Sequence, residues 1–325
     1  MTIRVEARGR LHFGFLDLSG GARGRRFGGL GLALAAPRLV LRVARAEGLR
    51  VEGPQADRVE AVAVRVHRHL EVRPHLHVVV EEAIPEHVGL GSGTQLALAL
   101  ATAIARQRGL DASVARLCAL TGRAQRSGVG FHLFRFGGFV VEGGHASTGP
   151  AAGEVPPLLA RHDLPAAWRV VVALPEGTQT VSGEAEEEAF RRLRPARAAT
   201  LDRISRVVLT GLLPAIVERD LAAFGSALAE LQELVGACFA PAQGGTFHPA
   251  AARLARALKE GGACGVGQSS WGPAVYAFAG DEREEERVAA LARAADPKAI
   301  ILRTRGWNGG ATIGGAPVEA PPRSD

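Results

Sequence analysis

Between Pro85 and Arg108 the chain reads Pro-Glu-His-Val-Gly-Leu-Gly-Ser-Gly-Thr and then an unbroken Ala/Leu-rich stretch. A turn, a loop of alternating glycines and a long apolar helix follow one another without a spacer. Gly89, Gly91 and Gly93 let main-chain N–H groups converge on one point with no side chain in the way. Ser92 and Thr94 add hydroxyl donors, and either can serve as N-cap of a helix expected over 94–108. The free amides and positive dipole end of that helix then face the loop. Loop, cap and helix together favour a phosphate pocket over an ordinary glycine-rich connection.

At 325 residues the chain is long enough for one large or two medium domains. Apolar residues make up 47% but fall in short runs broken by charge, and none is read as long enough to span a bilayer. The opening MTIRVEARGRL has arginines and no apolar segment, so a cytoplasmic protein is expected. Cys118, Cys238 and Cys264 are far apart and odd in number, which speaks for buried thiols rather than disulfides or a zinc cluster. A net charge of +6 would suit nucleic acid, yet 37 of the 39 basic residues are arginines scattered among 33 acids. With only Lys259 and Lys298 and no basic stripe interleaved with aromatics, neither nucleic acid nor a membrane is expected as partner. Arginine does suit bidentate contacts to a small phosphorylated ligand.

Period-two patterns predict strands at 2–8, 39–44, 75–83, 137–144, 168–177, 272–280 and 299–305. Helical spacing predicts helices at 56–72, 94–108, 113–124, 183–193, 198–218, 219–236, 252–262 and 282–295. The mixture lacks the regular rhythm of a doubly wound sheet, so the class is α+β. A Pro/Gly/Ala-rich passage at 147–157 loses all periodicity and suggests two domains, 1–160 and 161–325. The ending APVEAPPRSD is expected to be flexible.

Three glycine-rich segments in this order resemble the GHMP kinase superfamily. They are Ala7-Arg-Gly-Arg-Leu-His-Phe-Gly-Phe-Leu-Asp17, Pro85 to Thr94, and Gly265-Val-Gly-Gln-Ser-Ser-Trp-Gly-Pro-Ala-Val-Tyr276. The resemblance implies an N-terminal phosphate-loop domain and a ferredoxin-like C-terminal domain. Many of those kinases carry an acid in a Ser-Gly-x-Asp segment beside the transferred phosphoryl group. Here the segment is Ser127-Gly-Val-Gly130, and a glycine can neither orient a hydroxyl nor accept its proton.

Within that superfamily the chain resembles the β-ribofuranosylaminobenzene 5′-phosphate synthase family. The matching strings are Arg10-Leu-His-Phe-Gly with Asp17, Gly24-Arg-Arg-Phe-Gly-Gly-Leu-Gly31, Gly137-Gly-Phe-Val-Val-Glu-Gly-Gly144 and Gly267-Gln-Ser-Ser-Trp-Gly-Pro273. The resemblance implies transfer of ribose 5-phosphate from phosphoribosyl pyrophosphate to 4-aminobenzoate or 4-hydroxybenzoate, with loss of pyrophosphate and carbon dioxide. It also implies magnesium with the pyrophosphate, a homodimer, and a place in tetrahydromethanopterin biosynthesis. A GHMP-type small-molecule kinase using ATP is the alternative, and a non-catalytic metabolite sensor a third reading.

Such a reaction needs two phosphate groups held and water kept away from a cationic sugar. One helix terminus contributes only about 0.3–1 kcal/mol, against roughly 4–8 kcal/mol for millimolar to micromolar affinity. Arginines must add charge-assisted bonds of roughly 1.5–3 kcal/mol each. The candidates are Arg10 and Arg25, then Arg26, and more weakly Arg303 and Arg305 beside Asn308. Arg25 reads equally as a ligand or as a solvated surface charge. His12 and Asp17 are candidates for positioning the benzoate or, for Asp17, magnesium pyrophosphate; a structural histidine and a turn cap are the competing readings. Gln268, Ser269 and Ser270 offer donors to phosphate or carboxylate oxygens, and Ser127 and Gly128 are expected to line the same cleft. Trp271 reads either as a stacking surface for the acceptor or as a core residue. The pairs His67/His69 and His75/His77 are read as solvent-facing strand positions and not as a metal site, and Glu184 to Glu188 as an exposed helix face.

Overall fold

The computed structural model describes residues 2–18, 24–149, 153–176, 184–193 and 195–322. Two long antiparallel strands, β1 (Ile3–Asp17) and β2 (Arg25–Arg45), organise the first half. The alternation expected over 2–8 continues to Asp17, because Leu11, Phe13 and Phe15 extend the buried face. Register shifts fall at Arg8/Arg10 and at His12/Gly14, so the second bulge sits at a candidate site residue.

Next come β3 (Leu49–Glu52), α1 (Ala56–His69), β4 (Leu76–Glu82) and α2 (Ser92–Arg108). β4 pairs antiparallel with β2 and parallel with β3. Thirteen of the α2 side chains are buried, which makes it a core helix rather than a surface one. It is followed by α3 (Val114–Leu120) and α4 (Val129–Phe136); sequence patterning missed α4, whose Phe131 and Phe134 enter the core. β5 (Phe139–Glu142) and β6 (His145–Ala146) pair with β2, and β7 (Leu158–His162) pairs with β5.

The second half contains β8 (Arg169–Leu174), α5 (Glu184–Arg192), α6 (Ala198–Val207), a π-helical turn (Val208–Leu212) and α7 (Leu213–Glu218). Then follow α8 (Leu221–Gln243), α9 (Pro249–Glu260), β9 (Cys264–Gln268), β10 (Val275–Ala279), α10 (Glu282–Ala295) and β11 (Ile300–Arg305). The antiparallel order β11-β8-β10-β9, with helices between the strands, is the expected ferredoxin-like arrangement.

Several expectations need correction. α8 has 23 residues and a mean hydropathy of 1.2, long and apolar enough to cross a bilayer by length and composition. Its Phe224, Leu228, Leu231, Val235 and Phe239 recur at helical spacing and lie in the core. The ending is not free over its first residues: β12 (Thr312–Ile313) pairs with β1 and with β13 (Ala316–Pro317), and Arg135 donates to Glu319. His67 lies on the expected helix but does not face solvent: it is buried in α1, with Nδ1 2.7 Å from the Ala63 carbonyl. Cys118 is buried, whereas Cys238 and Cys264 are only partly so. The side chains of 184–187 in the acidic run lie outside the described residues.

Candidate active site

The glycine loop reaches α2 in a conformation that glycine permits. Gly89 and Gly91 have φ of 86° and 77°. Gly91 is the N-cap and has no side chain to cap with, so neither Ser92 nor Thr94 plays that part. Ser92 is the first helical residue, and its hydroxyl accepts from Arg58 Nη2 at 3.1 Å. The amides of Ser92, Gly93 and Thr94 precede the first intrahelical bond, from Gln95 N to Gly91 O, and so lie at the positive end of the helix.

Arginines crowd this end. Arg10 donates from Nη1 to the Gly89 carbonyl at 2.6 Å. A Cβ on Gly93 would lie 3.5 Å from both Arg58 Nη2 and Arg123 Nη1. Arg10, Arg123 and Arg126, with Thr94, Ser127 and Gly130, line a cleft of about 290 Å³ whose described lining includes no carboxylate. Gly130 faces Thr94, so the position of the missing kinase acid does open on the helix terminus.

His12 forms one wall of the cleft and is 5% exposed. Its Nε2 lies 3.0 Å from Ser127 Oγ, and the Gly14 amide donates to its Nδ1 at 3.2 Å. Burial, helped by the charge of Arg10, holds its pKa down to about 3, so the ring is neutral. Ser127 in turn lies 3.4 Å from Oε1 of Glu142, which also accepts from the Gly128 amide. Burial pushes Glu142 up to about 7, against the pull of the Gly144 and Gly128 amides.

The Gln-Ser-Ser-Trp segment joins the three glycine-rich strings. Ser269 Oγ accepts from the His12 amide at 3.0 Å and donates to the Gly89 carbonyl at 2.6 Å. Ser270 N donates to the His12 carbonyl, and Gln268 Oε1 accepts from the His248 amide. Trp271 is buried, with Phe239 at 4.6 Å and Phe190 at 5.2 Å between ring centroids. Together with Phe15 and Phe239 it lines a narrow second pocket, which shares His12, Phe15 and Ser270 with the arginine cleft.

Other candidates lie elsewhere. Asp17 ends β1 opposite Phe27 and does not line either cavity. Arg25 donates to the carbonyls of Gly143 and Gly144 at 2.7 and 2.6 Å, a main-chain role that the sequence reading had not weighed. Arg26 lies over the Phe27 ring. Arg303 pairs with Glu285 and Glu286, and Asn308 bonds the main chain of Leu164. His77 pairs with Glu52, and among the described residues no three His, Cys, Asp or Glu side chains gather to hold a metal.

Sequence reasoning missed Arg58, Arg123, Arg126 and Glu142. The two cleft arginines sit just before Ser127, but 37 arginines in one chain make any of them an unremarked choice. Glu142 carried a readable signal: a lone acid closing an apolar strand between glycine pairs.

With this geometry in place, comparisons with known proteins locate the chain. Residues 57–134 match the GHMP kinases N terminal domain and residues 212–297 the GHMP kinases C terminal family. The fold is similar to L. major mevalonate kinase, with a TM-score of 0.68, 14% identity, and 94% and 96% of the two chains covered. It is also similar to a Cytophaga hutchinsonii homoserine kinase, with a TM-score of 0.66, 16% identity, and 96% and 97% covered. In sequence it is 34% identical to the β-ribofuranosylphenol 5′-phosphate synthase of Methanothermobacter thermautotrophicus, covering 93% of this chain and 95% of that one. The Archaeoglobus fulgidus protein of the same name is 32% identical, covering 85% and 87%. A chain that matches both GHMP kinase domain families and is 34% identical to such a synthase over 93% of its length belongs to the β-ribofuranosylphenol 5′-phosphate synthase family.

Proposed function

We propose that the protein transfers ribose 5-phosphate from phosphoribosyl pyrophosphate to 4-hydroxybenzoate or 4-aminobenzoate, forming a C-riboside 5′-phosphate, carbon dioxide and pyrophosphate, in tetrahydromethanopterin biosynthesis. The relatives' name specifies a phenol product, so 4-hydroxybenzoate is the acceptor to test first. One observation carries the reading: an arginine cleft and an aromatic pocket meet at His12, Phe15 and Ser270. The anionic sugar donor suits the arginine cleft; the aromatic pocket, with room for about 20 Å³, offers the acceptor ring an apolar wall rather than a chamber of its size.

In the reaction the C1–O bond breaks with its electrons going to pyrophosphate, leaving an oxocarbenium-like ribose. The ring carbon bearing the carboxylate attacks C1, and the electrons of the C–CO2 bond return to the ring as carbon dioxide leaves. The α2 amides with Arg10, Arg123 and Arg126 hold the phosphates and stabilise departing charge. Trp271 and Phe239, buried in the pocket lining, offer the acceptor aromatic surface and keep water from the cation. Gln268, buried and bonded to His248, and Ser270 supply polar groups to the same lining.

Magnesium enters with the pyrophosphate as part of the substrate, since no carboxylate lines the cleft among the described residues. The reading takes 1–160 and 161–325 as the two domains, with the cleft drawing Arg10 from one and Ser270 from the other. The family resemblance implies a homodimer, and the N-terminal sequence is read as that of a cytoplasmic protein.

The test is incubation with phosphoribosyl pyrophosphate and carboxyl-labelled 4-hydroxybenzoate or 4-aminobenzoate. Labelled carbon dioxide and pyrophosphate should appear in equal amounts with one of the acids. Absence of both products, together with ATP consumption by some alcohol acceptor, would transfer the chain to the kinase reading.

A further inference from the structure

We propose that Glu142 is a positioning residue of the cleft: it fixes the Ser127 hydroxyl, and through it the orientation of the His12 ring. The activity arm of this proposal rests on the function proposed above; the geometric arm does not.

Glu142 ends β5 with no exposure to solvent. A buried carboxylate is costly unless it is hydrogen-bonded or paired. Gly144 N donates to Oε2 at 2.7 Å, Gly128 N to Oε1 at 3.2 Å and the Ser127 hydroxyl to Oε1 at 3.4 Å. The guanidinium of Arg25 is beside it, but bonded to the carbonyls of Gly143 and Gly144. The Gly144 bond is local, two residues away, while those of Gly128 and Ser127 span 14 and 15 residues and join the start of α4 to the end of β5.

The direction of each hydrogen bond follows from what each group is able to do. A main-chain N–H only donates, so His12 Nδ1 accepts from Gly14 and the ring proton is on Nε2. That proton is donated to Ser127 Oγ at 3.0 Å. Ser127 Oγ also accepts from Val129 N at 3.2 Å. With both acceptor positions used, its own proton points at Glu142. The chain runs one way, from His12 through Ser127 to Glu142. Without the carboxylate the hydroxyl has no reason to hold that direction, and the His12 ring, a wall of both chambers, loses its fixed partner.

The charged or titratable groups facing this chain are Arg25 from β2, Arg10 beside His12 on β1, and His12 itself; α4 and its N-cap contribute main-chain amides. Ionisation of Glu142 strengthens its acceptor role. Its pKa, pushed up to about 7, therefore makes the hold on Ser127 tighten through neutral pH.

The experiment records ¹⁵N spectra of histidine-labelled protein at pH 8, for wild type, Glu142→Gln and Ser127→Ala. Wild type should show His12 with protonated Nε2 and bare Nδ1, the tautomer the Gly14 amide sets, and both variants should shift or broaden the Nε2 signal as its bond to Ser127 is lost or loosened. In turnover assays Glu142→Gln should lower kcat at least tenfold, with KM for phosphoribosyl pyrophosphate changed less than threefold. The pH dependence of wild-type kcat near 7 should be missing from that variant. Ser127→Thr, which restores a hydroxyl, should recover most of what Ser127→Ala loses. A folded Glu142→Gln with unchanged His12 signals overturns the proposal whatever the activity. Should that variant fail to fold, unchanged His12 signals in Ser127→Ala overturn it instead. If the signals move as expected while wild type has no synthase turnover, the functional reading fails and the positioning role stands.

Discussion

The stem of Arg10 lies across Gly91: a Cβ on that glycine would sit 2.9 Å from both Cγ and Nε of the arginine. The phosphate loop and the first strand are thereby fitted to each other, one supplying amides and the other positive charge. Gly91→Ala would force an alanine into φ of 77° and displace Arg10 together. The backbone strain costs about 1 kcal/mol or more, and the displaced guanidinium adds a loss in binding. We expect KM for phosphoribosyl pyrophosphate to rise at least tenfold while kcat at saturation changes less. Steady-state kinetics on the purified variant decide this, and an unaltered KM would remove the loop from the phosphate site.

Arg123 and Arg126 test whether cleft charge holds the donor. A charge-assisted hydrogen bond contributes roughly 1.5–3 kcal/mol, which corresponds to about a 10- to 150-fold loss in binding. Arg123→Ala and Arg126→Ala should each weaken pyrophosphate binding by calorimetry within that range. Arg303→Ala, whose side chain pairs with Glu285 and Glu286, should leave that affinity unchanged.

Restoring an acid where the kinases carry one should harm this enzyme. Gly130→Asp needs Thr94 to give by a few tenths of an ångström, because a Cβ there would meet its Cγ2 at 3.2 Å, while the site near the α4 N-terminus favours negative charge. The carboxylate would face an arginine-lined anion cleft. The melting temperature should hold within a few degrees while KM for phosphoribosyl pyrophosphate rises about tenfold or more. A variant with unchanged KM would show that Gly130 does not border the bound donor.

Trp271 lines the aromatic pocket and not the phosphate cleft, so its replacement tests the two substrates apart. Trp271→Phe keeps an aromatic ring against Phe239 but shortens it. The benzoate KM should rise several-fold while the KM for phosphoribosyl pyrophosphate stays within twofold. Equal effects on both substrates would make the tryptophan a core residue only.

Stability should respond to pH with two opposing signs. His12 and His132 are held neutral by burial, with pKa values down to about 3 and about 4, so their contribution is present above the unfolded value of 6.5. It is lost as pH falls from 6.5, at up to about 1.4 kcal/mol per unit for each. Glu142 is raised to about 7 from 4.5, so its contribution is full below 4.5 and is lost as pH rises towards 7. Between 4.5 and 6.5 the carboxylate offsets about one of the two histidines. Urea unfolding at pH 4.5, 5.5 and 6.5 should therefore show a shallower acid loss in wild type than in Glu142→Gln, and equal slopes would contradict the shifted pKa.

The glycine loop, its helix, the α+β class and most strands and helices were legible because each rests on local spacing. Alternation gave β1 and β4, helical periodicity gave α1, α8 and α10, and adjacent motif strings gave the family. What eluded the sequence depends on residues far apart. α4 has only eight residues and opens beside Gly128 and Gly130, so too few turns are present for its spacing to be read. The β12–β13 hairpin is ordered by β1, about 300 residues upstream. Ser269 reaches Gly89 across 180 positions and His12 reaches Ser127 across 115. Local spacing in this chain determined which segments could hold a phosphate. Only tertiary packing decided which arginines surround it, and which buried carboxylate directs the histidine beside it, because desolvation and hydrogen-bond direction exist only once distant strands have met.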